Sequence, residues 1–395
     1  MKDLEISFTL FPNGLVKYIH KTFWGKSKSL LRDSILINKL YLDENKVINY
    51  NDGNRFAYGE NLQQKQIPVK ILGFFGQTFG LAEAARRTFT SFKESGLPVS
   101  AIQIPYSGNH HGHDESVKTE KIMPTNFNEI RIFHFNGDYF EKLKKETKEV
   151  ILDCRYTIGF WHWELPTFPD DYTSWFNYVD EVWVPSKFVF DAIAPKSPKP
   201  VQIIPLAVDE ICHTPPPADR SKFKIPPHKV VFLVTFDFYS ILSRKDPISA
   251  ISAFSKLVSD VTYKEKVHLV VKTSNNHADA VSKKVLDDAL SMIDAKKITI
   301  IENVLPRDEM LQLINSCDSL ISLHRAEGFG LHLAEAISMG KSVIATNWSG
   351  NIDFMTNKNS LLVDYDLETL KKDVGPYRSG NTWAKPSKCF KGMFT

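Results

Sequence analysis

Two acidic side chains, Glu327 and Glu335, bracket the run Gly328-Phe329-Gly330-Leu331 and lie eight positions apart. The run follows an apolar, strand-like stretch at 319–323 and opens a helical stretch at 331–339. A helix N-terminus carries backbone N–H groups without intrahelical acceptors and the positive end of the helix dipole, so it favours an anion. Glycines there let a ligand approach the backbone closely. Eight positions are about two helical turns, which places one acid in the loop and one on the helix, both able to face one cleft. Taken alone, the pair also reads as an exposed acid followed by a helix acid, or as the acid and nucleophile of a glycoside hydrolase.

Softer signals lie elsewhere. Asp364-Tyr365-Asp366 spaces two carboxylates as some divalent-metal sites do, but turn chemistry suffices for it. Asn109-His110-His111-Gly112-His113-Asp114-Glu115 gathers transition-metal ligands, against the simpler reading as a polar loop. His134 and His162 each follow an apolar run, where a core histidine competes with a ligand contact. Trp161, Trp163 and Trp175 read as core residues before they read as sugar platforms.

These residues need a scaffold, and the hydrophobic pattern supplies one. From Pro68 onward, short apolar runs alternate with helical-period segments, the signature of parallel sheets with crossover helices. The stretch 69–75 reads as a buried strand, and 76–80, with Gly76 and Gly80, as a small-residue turn. A helix over 81–95 has Leu81, Ala84, Ala85, Thr88, Phe89 and Phe92 on one face and stops at Gly96. Further strands are expected at 98–104, 130–135, 157–161, 181–184 and 201–204, with helical stretches near 172–178 and 186–193. Thr214-Pro215-Pro216-Pro217 and Pro226-Pro227 resist both helix and sheet and read as a seam. Alternation then restarts, with strands at 230–236, 267–273, 298–302, 319–323, 342–346 and 361–364 and helices at 247–258, 278–293, 308–315 and 331–339. The expected division is a basic extension at 1–66, one Rossmann-like domain at 67–208, a second at 209–370 and a tail at 371–395.

With 395 residues, 43% apolar and 24% charged, the chain resembles ordinary globular proteins, which excludes disorder, collagen and coiled coil. The apolar stretch 230–242 is interrupted by Asp237 and is too short to span a bilayer. Acids at Asp3 and Glu5 argue against a signal peptide, and four scattered cysteines without a Cys-x-x-Cys pair fit a reducing cytoplasm. The net charge of +3 is too mild to imply nucleic acid and resides entirely in residues 1–66. There Lys17, Lys21, Lys26, Lys28 and Arg32 interleave with apolar residues, as in a peripheral membrane-surface segment or a solvated helix packed on the next domain.

Leu323 to Ala336, with Glu-x7-Glu in a strand, loop and helix, resembles the donor domain of the retaining glycosyltransferases of family 4, the glycosyl transferases group 1, which have the GT-B fold. Similarity extends to Gly340-Lys341-Ser342-Val343-Ile344-Ala345-Thr346, Ser349-Gly350 and Leu361-Leu362-Val363. Gly73 to Arg86, Trp163-Glu164-Leu165-Pro166 and Tyr178 to Ser186 resemble parts of the family's acceptor domain. The resemblance implies an α/β protein with two facing, doubly wound Rossmann-like domains and an interdomain cleft. It implies transfer of a sugar from a UDP- or GDP-sugar to a glycan, glycolipid or polysaccharide precursor, with no metal and no cofactor.

By the same resemblance Glu327 contacts the donor sugar, Glu335 the ribose, and the amides of Gly328, Phe329, Gly330 and Leu331 the diphosphate or sugar. Lys245 falls at the family's lysine position. Its arginine position falls near 238–239, which makes Arg244 the substitute cation, and Lys272 is a third. Gly76, Gly80 and His162 join the substrate-binding set. The displaced arginine keeps open a non-catalytic nucleotide-sugar-binding or scaffolding module, as does the end of the chain at Thr395 soon after Trp383-Ala384-Lys385-Pro386, a block that precedes the family's last helix. A GT-B nucleotide-sugar epimerase is a further alternative.

Overall fold

The computed structural model describes residues 67–106, 113–121, 129–147, 154–208 and 214–387. The basic N-terminal segment and the pair His110 and His111 fall outside them.

The first half runs β1 (Val69–Gly73), α1 (Gly80–Glu94), β2 (Val99–Gln103), β3 (Ile130–Phe133), α2 (Asp138–Thr147), β4 (Tyr156–Phe160), β5 (Glu181–Val184), α3 (Lys187–Ile193) and β6 (Val201–Ile203). Its six strands form one parallel sheet in the order β2-β1-β3-β4-β5-β6. Parallel sheets are covered on both faces, so their strands carry apolar residues at consecutive positions. In β3, Phe133 enters one core cluster while Ile130 and Ile132 enter the opposite one.

The second half repeats the plan with β7 (Val230–Asp237), α4 (Leu242–Lys245), α5 (Pro247–Ser259), β8 (Val267–Ser274), α6 (Ala280–Leu290), β9 (Ile298–Ile301), α7 (Arg307–Ser316), β10 (Ser319–Ser322), α8 (Leu331–Ser338), β11 (Ser342–Thr346) and β12 (Leu361–Val363). The parallel order is β12-β11-β10-β7-β8-β9. Phe232, Val234 and Phe236 pack on one face of it and Val231 and Leu233 on the other.

Strand order decides where a ligand can bind. The chain winds outward from β7 to β9 and then returns to place β10 on the other side of β7, so the topological switch lies between β7 and β10. Ligands of open α/β sheets bind beyond the carboxyl ends of the strands at such a point. The segments leaving those ends carry Arg244 and Lys245 after β7 and Glu327 after β10. In the first sheet the switch lies between β1 and β3, which brings the 74–79 loop and His134 to the corresponding edge.

Three features differ from the sequence expectation. The stretch near 172–178 is a 3₁₀ helix, Asp170–Tyr178, entered through Pro169. Helix α2 is not among the expected elements: only Tyr139, Phe140 and Leu143 of its residues are apolar, and all three enter a core cluster. Residues 365–387, assigned partly to a tail, contain an antiparallel hairpin of β13 (Tyr365–Thr369) and β14 (Thr382–Pro386). Leu370, Tyr377 and Trp383 from this segment pack into a core cluster of the first half. Here Trp383-Ala384-Lys385-Pro386 is a strand.

Candidate active site

Arg244 and Lys245 sit in a one-turn helix held between two unusual backbone positions. Ile241 before it has φ +64° and Asp246 after it φ +42°, a left-handed conformation that is costly for a side chain branched at Cβ. The turn persists because its surroundings fix it. Asp246 caps α5 by accepting from the Ser249 N–H at 3.1 Å, with Pro247 at the first helical position. Its other oxygen accepts from Arg325 Nε at 3.0 Å, and the Arg325 N–H donates to the Arg244 carbonyl at 2.7 Å. The β7–α5 connection and the loop after β10 are thereby joined by backbone and side chain together.

That junction brings Glu327, Arg244 and Lys245 into one buried cluster. Lys245 Nζ donates to Glu327 Oε1, and Arg244 Nη1 reaches the same oxygen at 3.4 Å while donating to the Ala326 carbonyl at 2.9 Å. Burial opposes ionisation of Glu327, but Lys245 and then Arg244 outweigh it and hold the carboxyl well below the usual range. Glu164, held by the Tyr377 hydroxyl, is a second carboxylate acting on both cations, so two acids stand against Arg244 and Lys245. Burial pulls the Lys245 ammonium down while Glu327 pushes back.

The loop carrying Glu327 is anchored by the segment after β11. Ser349 Oγ accepts from the Glu327 N–H at 2.9 Å, and the Gly350 N–H donates to the Glu327 carbonyl at 2.9 Å. A Cβ on Gly350 would stand 2.1 Å from the Gly328 oxygen, so only glycine permits this approach. Gly330 turns into α8 with φ +88°. The Gly328 carbonyl accepts from Ser186 Oγ of the first half at 2.6 Å, and Phe329 packs in a first-half core cluster. The first-turn amides at Leu331 and His332 lie at a helix start, where no intrahelical acceptor exists.

Neutral histidines line the same place. His324 is fully buried, with Nε2 3.0 Å from Asn351 Oδ1 and 3.2 Å from the Trp348 carbonyl, so Nε2 carries the proton and Nδ1 accepts from Ser322. Burial keeps it uncharged. Burial and then Lys245 push His332 down to about 3, and its Nε2 is buried without a partner.

Glu335 occupies a second cluster. Its Oε1 accepts from Arg307 Nη2 at 2.5 Å and from Arg87 Nη2, on α1 of the first half, at 3.1 Å. Glu83 Oε1 binds Nε of both arginines at 3.0 Å. Glu335 is thus already ion-paired across the two halves. Each of the two acids thus sits among its own cations, Glu327 with Lys245 and Arg244 and Glu335 with Arg307 and Arg87.

Among the other expected residues, Lys272 is buried at the end of β8. Burial pushes its ammonium down, with Asp237 opposing. Among the described residues no hydrogen bond or ion pair joins it to Glu327. The Gly76 N–H is already used by Gln103 Oε1 at 2.8 Å, whereas a Cβ at Gly80 would meet open space. His162 stacks on Phe160 at 5.4 Å, and His134 stacks on the same ring at 4.5 Å. Burial lowers His162 to about 4, and its Nδ1 is buried unpartnered. Trp161 and Trp163 are core residues, and Trp175 stacks on Tyr172 at 4.1 Å. Among the described residues no group of three or more His, Cys, Asp or Glu side chains is placed to hold a metal ion. Asp366 faces Lys385 across the hairpin, where a hollow of about 810 Å³ lies apart from the Glu327 cluster.

The sequence reading missed Tyr377. This buried phenol, from the hairpin loop, donates to Glu164 Oε2 at 3.0 Å and stands beside Arg244, with its ring 5.7 Å from that of Trp163. It also missed Arg87 and Arg307. The Glu83–Arg87 spacing of four on a helix was a visible signal, but that Arg87 would meet Glu335, 248 residues further on, was not.

Residues 236–375 match the model of the family described as glycosyl transferases group 1. Among solved structures, a glycosyltransferase from Rickettsia africae is 15% identical, with a TM-score of 0.53 over 75% of this chain and 84% of that one. Anabaena HepE, in complex with UDP and glucose, is 12% identical with a TM-score of 0.57, over 76% and 86% of the chains. A sucrose-phosphate synthase from Thermosynechococcus elongatus is 12% identical with a TM-score of 0.54 over the same shares. These likenesses establish the GT-B fold. No curated protein matches the sequence.

Proposed function

We propose that the protein is a retaining glycosyltransferase of the family 4 kind, transferring a sugar from a nucleoside diphosphate sugar to a hydroxyl of a glycan or lipid-linked acceptor. The observation that carries this reading is the Arg244–Lys245–Glu327 cluster at the switch point of the second sheet, beside the start of α8 and within the segment matched by the glycosyl transferases group 1 model. Departure of a nucleoside diphosphate leaves negative charge, and preorganised cations and amides in a dry site stabilise it. Lys245 and Arg244 supply the cations and the amides from Gly328 to Leu331 the dipoles. The bond from the anomeric carbon to the diphosphate breaks, the acceptor oxygen bonds to the same face, and the acceptor proton passes to the departing phosphate oxygen. Glu327, fixed as a carboxylate, suits sugar hydroxyls, and Glu335 suits the ribose. UDP or GDP is the favoured nucleotide, and HepE has been captured with UDP and glucose.

This chemistry needs no metal, because the cations are the protein's own. Among the described residues no helix is long and apolar enough to cross a membrane; a cytoplasmic enzyme touching membrane through residues 1–66 fits the reading.

Thermal shift with UDP-, GDP- and ADP-sugars tests donor binding, since a ligand that binds only the native state raises the midpoint. Transfer to glycan and lipid-linked acceptors is then followed as release of the nucleoside diphosphate, with anomeric configuration read by NMR. Donor-dependent stabilisation and acceptor-dependent release that survives EDTA are expected. Binding without release marks a binding module, release without acceptor an epimerase, and loss in EDTA restored by manganese a metal enzyme.

A further inference from the structure

We propose that Arg87 and Arg307 are positioning residues for the ribose contact, and that Arg87, carried by the opposite half, makes ribose recognition depend on how the halves meet. This rests on the reading of Glu335 as the ribose acceptor. Glu335 is 2% exposed, and a carboxylate so buried needs compensating charge. It has that charge on one side only. Both guanidinium groups converge on Oε1, while Oε2 accepts no hydrogen bond among the described residues. A carboxylate held through one oxygen has its rotation fixed and its second oxygen presented, which is the arrangement an incoming hydroxyl requires.

The cage is balanced and rigid. Glu83 Oε1 takes Nε of Arg87 and of Arg307, so two acids and two arginines form a closed ring across the halves. Arg87 Nη1 also donates to the Ala207 carbonyl at 2.7 Å, which ties the ring to the segment leaving the first sheet. Arg87 therefore donates to two acceptors, the Ala207 carbonyl and Glu335 Oε1, while its guanidinium lies within ion-pair distance of Glu83. Only the planar fork of a guanidinium can do this, and lysine offers a single point charge. Arg307 stands on the first turn of α7, so each half contributes one acid and one arginine.

The experiment titrates UDP, GDP and ADP, and their 2′,3′-dideoxy counterparts, against the full-length chain and the variants R87A, R87K, R307K, E335A and R87A/E335A. R87A should weaken the preferred ribonucleotide by roughly 10-fold, the scale of one charge-assisted hydrogen bond, and leave its dideoxy counterpart within 2-fold or so. R87K, which keeps charge and helix propensity, should show a smaller loss of the same kind and serves if R87A does not fold; R307K should behave likewise. In the E335A background R87A should cost nothing further, since its effect passes through that carboxylate. Equal losses for ribo- and dideoxynucleotides, or an undiminished cost of R87A in E335A, make the ring a structural clamp and overturn the proposal. Wild type that binds with dideoxy and ribo forms alike removes the ribose contact; wild type that binds none of the nucleotides removes the donor reading and this inference with it.

Discussion

Glu327 and Glu335 are held in the same manner. Each has Oε1 occupied by two cations, and each leaves Oε2 without a partner among the described residues. Their surroundings nevertheless separate their effects. On the proposed reading Glu327 stands among the cations that meet a departing diphosphate, so Glu327→Gln should leave binding of bare UDP or GDP within about 3-fold and lower turnover by roughly 10²-fold, as for a contact made in the transition state. Glu335→Ala should weaken bare nucleotide and full donor alike by about 1–3 kcal/mol. Calorimetric titration and initial rates check both. Identical losses in the two variants would contradict the division of roles. The pair was legible because its residues are eight apart around glycines. Its cations were legible only in part: Lys245 and Arg244 stand together in the chain, but nothing local shows that both converge on one oxygen 82 residues further on.

At the scale of elements, the crossing of two loops is the most exacting contact. The 349–350 segment supports the Glu327 loop through Ser349 Oγ and the Gly350 N–H, with no room for a methyl group. Gly350→Ala should therefore cost at least about 1–3 kcal/mol of stability, the usual scale of overpacking, and displace Gly328 and Glu327. Chemical denaturation measures the first effect and nucleotide titration the second; a variant with wild-type stability and binding would show the crossing to be slack. The hairpin has its own test. Tyr377→Phe keeps the ring against Trp163 but removes the proton donated to Glu164, and should lower stability by about 1–3 kcal/mol. An unchanged denaturation midpoint would mean that water replaces the phenol. The strands of both large sheets could be read from sequence because burial on both faces leaves unbroken apolar runs such as 230–236. The hairpin could not. β13 is short and mostly exposed, and its contribution to a core comes from Leu370, Tyr377 and Trp383, which follow no period.

Acid sensitivity belongs to the whole molecule, because buried neutral histidines occur in both halves. Burial lowers His134 well below its ordinary value, His162 to about 4 and His332 to about 3. The unfolded chain takes up protons near pH 6.5 while the folded chain does not. Stability is then fully present above pH 6.5 and declines as pH falls from 6.5 toward 4, by up to about 1.4 kcal/mol per pH unit for each such histidine. Glu327, depressed instead, contributes stability that is retained above about pH 4.5, the ordinary glutamate range, and begins to be lost only below it. Between pH 6.5 and 4.5 the loss of stability therefore comes from the histidines, while Asp138 and Asp353, which burial raises, act in the opposite sense as they take up protons. Thermal midpoints over pH 7.5 to 4.5 should fall, and His134→Phe, which replaces a ring with two unpaired nitrogens, should flatten the fall. A midpoint independent of pH in this window would show that these rings gain protons while folded.

Among the described residues the chain passes between the halves twice. It leaves the first sheet after Ile203 to begin the second at Val230, and it leaves the second sheet after Val363 to lodge Leu370, Tyr377 and Trp383 in the first half's core. A body pinned to another at one point can swivel in any direction. Here the halves are joined not only by these two crossings but also by the Ser186–Gly328 and Arg87–Glu335 hydrogen bonds and by Phe329 in a core cluster of the first half. Swivelling one half on the other would have to break these contacts together, including the ring that holds Arg87 beside Glu335.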